Sequence, residues 1–151
     1  MTTGTHRPPP AGTPRRVLAA AARRLPTLLA LALAVVTFAD GVPPLGFLAG
    51  LLVVMPLCYL AFGVLRGELR DRRALLVQTG GLLGFTGLAL CALAAGGTAG
   101  LALVAAGWLA HAGWDLAHHR SGKVVPRAWS EWCGVVDAAG AVAMTALIWT
   151  A

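Results

Sequence analysis

Five apolar runs, parted by short stretches that are basic or rich in Gly and Pro, limit what this chain can become. About 20 apolar residues match the hydrocarbon thickness of a bilayer. A backbone in hydrocarbon must satisfy its own amides, which for such segments means helix. The runs predict helices over 25–41, 45–65, 74–95, 101–119 and 130–150. The fold expected is an all-α, polytopic transmembrane bundle of about five helices. Composition agrees, with 58% of the residues hydrophobic and 12% charged, against about 45–50% and 25% in soluble domains.

Residues 1–24 are rich in Pro, Thr, Gly, Ala and Arg. They predict a disordered basic tail, in which 17–24 is also readable as a short interfacial turn of helix. The first run places Pro26 in a first helical turn, where proline is tolerated. That run is short. Its basic flank and the segment Thr37-Phe38-Ala39 also fit a signal peptide with a small-residue cleavage site. Pro56 in the second run predicts a kink. Gly80 and Gly84 in the third have the spacing that lets helices approach closely in lipid.

The charges orient the bundle. Five Arg precede the first run, four lie in Arg66–Arg73, and two Arg and one Lys lie in Arg120–Arg127. The other loops and the C-terminus carry none. With five spans, all twelve basic residues fall on one side. The positive-inside rule makes that side the cytoplasm, with the N-terminus inside, as in a multi-pass protein of the plasma membrane. The net charge of +6 therefore indicates the lipid bilayer as partner and not nucleic acid, since no basic and aromatic platform for bases is present. Cys58, Cys91 and Cys133 fall within apolar runs without a CxxC pair and read as small buried hydrophobes. Cys133 lies one helical turn before Asp137.

Ionisable groups inside an apolar helix are costly and mark candidate sites. Three of the four histidines and an aspartate occur in Trp108-Leu-Ala-His111-Ala-Gly-Trp114-Asp115-Leu-Ala-His118-His119. His111, Asp115 and His118 stand at i, i+4 and i+7, on one helical face. Counted from the cytoplasmic end of the fourth helix, His111 lies about 12 Å deep and Asp115 about 6 Å. Asp137 on the fifth helix lies about 9 Å deep. Tyr59 and Gln78 fall in the same half. These positions predict a polar pocket open to the cytoplasm, lined by Tyr59, Gln78, Trp108, Trp114, His119 and Cys133 around His111, Asp115, His118 and Asp137.

Three functions fit that constellation. His111, Asp115, His118 and Asp137 have the donor types of a divalent-metal site, zinc or iron, acting on a lipid-like substrate. His111, Asp115 and Asp137 also suit the proton or ion relay of a small carrier, which would need a homo-oligomer at this size. Alternatively, His111 and Asp137 tie two helices together and fix their register. No nucleophile–base pair, phosphate loop or redox motif is visible, so the sequence does not decide whether the chain is an enzyme.

The motif Gly107-Trp108-Leu-Ala-His111-Ala-Gly-Trp114-Asp115-Leu-Ala-His118-His119, followed by Val-Pro and Cys133-x-x-x-Asp137, resembles a group of small bacterial integral-membrane proteins classed as a domain of unknown function. The resemblance runs from about Leu45 to the C-terminus. It implies that His111, Trp114, Asp115, His118, His119 and Asp137 belong together, and brings no activity, cofactor or substrate.

The orientation is testable by cysteine accessibility in a cysteine-free background. Thr98→Cys is expected to react with a membrane-impermeant maleimide in intact cells, and Glu68→Cys only after the membrane is opened. The reverse pattern would invert the topology.

Overall fold

Each apolar run closes its amides internally, and the chain emerges as five helices. The computed structural model describes residues 13–150. Helix α1 spans Thr13–Phe38, α2 Leu45–Leu65, α3 Arg72–Ala95, α4 Gly97–Ser121 and α5 Arg127–Thr150, with a single 3-10 turn at Glu68–Arg70. The described residues contain no strand. Helices α2, α3 and α5 are long and apolar enough to cross a membrane. Helix α4 has 25 residues, and its mean hydropathy is lowered by the His/Asp motif it carries. It packs on α5, α3 and α2 and buries the face that carries Trp108, His111, Asp115 and His118.

The helix limits agree with expectation to within a few residues except at the start. Helix α1 begins at Thr13, twelve residues before the expected 25. The Ala-, Leu- and Arg-rich run 17–24 consists of strong helix formers and continues the helix upstream. Pro26 consequently lies inside α1 and not in its first turn. The rest of the expected tail, 1–12, lies outside the described residues. The apolar part of α1 is only Arg24–Phe38.

Turn chemistry punctuates the chain. The Asp71 carboxylate accepts from the Arg73 amide at 2.9 Å and caps α3. Helix α4 stops at Gly122, whose φ of 65° permits the left-handed stop and whose amide donates to the His118 carbonyl at 2.8 Å.

Helix α1 packs on α5, and the described residues show no close backbone approach between α1 and α2, although they are consecutive. The Thr27 hydroxyl donates to Glu131 at 2.5 Å near the start of α5. Farther along both helices, Phe38 approaches Gly140, so α1 and α5 run parallel. Leu48, Leu52, Val104, Trp108, Ala141 and Met144 form the apolar core of the half of the bundle away from the α4–α5 loop. Val36, Leu65 and Leu83 are exposed, as befits side chains that face lipid.

Close approach depends on glycines other than the pair singled out by spacing. A Cβ on Gly80 or Gly84 would meet nothing within 4 Å. A Cβ on Gly140 would stand 2.5 Å from the Trp108 ring, and one on Gly107 would stand 2.6 Å from Leu52. Glycine is needed where a large side chain of one helix lies flat on the backbone of the next. Gly140→Ala is expected to cost about 1–3 kcal/mol through overpacking, while Gly84→Ala should leave thermal unfolding in detergent unchanged or raise its midpoint.

Candidate functional site

The site is anchored on α4, at the point where α2 and α5 meet it. His111, Asp115 and Asp137 are each 0% exposed. Gly134 brings the α5 backbone onto Asp115, since a Cβ there would lie 3.1 Å from the Asp115 Cβ. Asp137, one turn farther along α5, then reaches His111. The His111 Nδ1–H donates to Asp137 Oδ2 at 2.7 Å and stands 3.4 Å from Asp115 Oδ2. The Tyr59 hydroxyl of α2 donates to the other oxygen, Asp115 Oδ1. Tyr59 and Phe85 present ring edges to the imidazole at centroid distances of 5.6 and 5.0 Å.

One ligand atom from each of His111, Asp115 and Asp137 lies within 4.8 Å of the others. The hydrogen bonds do not exhaust the group. His111 Nε2, Asp115 Oδ2 and Asp137 Oδ1 are buried without a hydrogen-bond partner. Unpaired buried polar atoms cost about 1–3 kcal/mol each. Among the described residues, no Lys or Arg pairs with either carboxylate.

The sequence-derived residues separate into distinct environments. His118, expected as a third ligand on the α4 face, is not in the converging group. Its Nδ1–H donates to the Trp114 carbonyl at 2.9 Å, which leaves Nε2 to accept from the Gln78 amide at 2.8 Å. Both ring nitrogens are thus satisfied, and the ring packs edge-on to Tyr59 at 4.9 Å. Gln78 is buried with it. His119 bonds the Arg127 carbonyl at 3.1 Å and holds the α4–α5 loop. Trp114 packs at a tilt against His118, at a centroid distance of 5.3 Å, and lies against Gly81 of α3. The Trp108 indole N–H donates to the Leu48 carbonyl at 3.3 Å.

The expected opening toward the cytoplasm is absent at this cluster. Val124 and Val125, in the loop between α4 and α5, are 4% and 0% exposed and pack beneath Tyr59 with Phe62 and Trp129. Val124 adopts φ 67° to do so, a conformation costly for a β-branched residue. Two valines inside a basic loop were the sequence signal for this plug. The cavity beside the cluster is lateral instead. It has a volume of about 340 Å³ between α1, α2 and α5, and Trp108, Cys133 and Asp137 are among its walls. Tyr59, Gln78, Trp114 and His119 do not line it.

Comparison with protein-family models, curated proteins and solved structures gives no match to this chain.

Tyr59→Phe removes the one hydrogen-bond donor to Asp115 Oδ1 among the described residues and keeps the ring. The variant is expected to lose about 1–3 kcal/mol, read as a lower unfolding midpoint in detergent. An unchanged midpoint would show that this bond does not hold the cluster.

Proposed function

We propose that His111, Asp115 and Asp137 form an intramembrane divalent-metal centre that acts on a lipid-like, membrane-soluble substrate, in a plasma-membrane protein with its N-terminus in the cytoplasm. The observation that carries this reading is the convergence of three fully buried ligand side chains, each retaining an unpartnered polar atom. Two carboxylates set against one imidazole leave a deficit of positive charge in a medium that penalises it. A divalent cation would fill that deficit. One nitrogen and several oxygens suit zinc or iron(II) and are harder than a multi-histidine set. Tyr59 would orient Asp115 from behind, as outer hydrogen-bond partners commonly do for ligating carboxylates. A metal held there supplies Lewis acidity or an activated water.

The geometry favours this reading over the other two. A relay needs a polar path to both faces, whereas the outer half above His111 is packed with Leu48, Leu52, Val104, Trp108 and Met144. A purely structural tie needs saturated bonds and no adjoining cavity. This cluster has three unpartnered atoms and a cavity at Asp137.

Elemental analysis of protein purified without chelator tests the proposal. Near-stoichiometric zinc or iron is expected in the wild type and in His118→Ala. It should be lost in His111→Ala and Asp137→Asn, with folding verified by thermal unfolding. Tyr59→Phe should weaken metal affinity about 10–100-fold. A folded wild type without metal, or loss of metal in His118→Ala alone, would overturn the assignment.

A further inference from the structure

Helices α1 and α2 are joined by a short turn, yet α1 leans on α5, and its backbone makes no close approach to α2 among the described residues. The cavity of about 340 Å³ fills this gap, a size within the range of small-molecule sites. Leu33 and Val54 stand on its opposite walls and are 42% and 49% exposed. Both positions lie within apolar helical segments, so the gap faces lipid and not water.

The walls are selective. None of the lining residues is Lys, Arg or His, so an anionic headgroup has no counter-charge inside. The single ionisable oxygen acid on the wall is Asp137, 0% exposed, with Oδ1 unpartnered. That atom accepts hydrogen bonds. A bare alkyl chain would leave it unsatisfied, and a carboxylate would be repelled by it.

We propose that the cleft between α1 and α2 binds a single-chain membrane lipid that ends in an uncharged hydroxyl. The hydroxyl donates to Asp137, and the chain lies between Leu33 and Val54 on its way out to the bilayer. This deepens the metal-centre reading and rests on it for one point, that the bound polar end is brought to the functional cluster. The cleft itself is testable without the metal.

The experiment uses full-length protein in phosphatidylcholine vesicles and three photoreactive diazirine probes of equal chain length: an alcohol, a fatty acid and an alkane. The alcohol is expected to label saturably on peptides of α1, α2 and α5. Its labelling should be about tenfold stronger than that of the other two, which is the worth of one hydrogen bond. Val54→Trp and Leu33→Trp fill the cleft from opposite sides. Each should abolish labelling and keep the wild-type metal content, whereas Leu83→Trp on α3, exposed elsewhere, should change neither. Non-saturable labelling, equal labelling by the three probes, or labelling that survives both filling variants would overturn the proposal. Selective labelling of a protein that holds no metal would sustain the cleft and remove the metal centre instead.

Discussion

The contact on which this structure turns is one imidazole set between two carboxylates where water cannot reach. His111 donates to Asp137 and abuts Asp115, and Tyr59 braces Asp115 from a third helix. Groups of this kind are expensive in hydrocarbon unless they satisfy one another. The bonds they do make fix how α2, α4 and α5 sit together, while one polar atom of each of His111, Asp115 and Asp137 stays unpartnered. Apolar side chains alone would not fix it, because lipid solvates them as well as another helix does.

Small residues make that contact reachable. Gly134 puts the α5 backbone against Asp115, Gly140 accommodates Trp108, and Gly107 admits Leu52. The α4–α5 pairing is the most extensive in the bundle, and it carries the site. At the opposite extreme, among the described residues the α1 backbone approaches only α5, and its separation from α2 leaves an apolar cleft with Asp137 on its wall. Closure by Val124 and Val125 on the loop side and openness between α1 and α2 on the other follow from one arrangement of five helices. Together they leave the cavity beside the cluster on the flank between α1 and α2.

Much of this was legible in the chain. Hydropathy predicted the five helices. The i, i+4 spacing predicted that His111 and Asp115 share a face, and counting depth along two helices brought Asp137 to the same level. What was illegible depended on partners remote in sequence or on local competition. His118 has the right periodicity, but its two ring nitrogens are taken up by the Trp114 carbonyl and the Gln78 amide. Gly80 and Gly84 have the right spacing, but in a glycine-rich chain spacing does not reveal which glycine faces a bulky neighbour. Consecutive helices usually pack side by side, so the gap between α1 and α2 had no signature. The early start of α1 is only partly legible: 17–24 reads as a short turn of helix, but nothing in the sequence shows that this turn runs on into the first apolar run without a break.

The most direct measurement of the central claim is X-ray absorption at the metal edge of the zinc-loaded protein. The account predicts a first shell of nitrogen and oxygen only, at about 2.0–2.2 Å, with the outer scattering of a single imidazole. Sulfur scattering at about 2.3 Å would move the metal to Cys133 and contradict the assignment, as would the signature of two or more imidazoles.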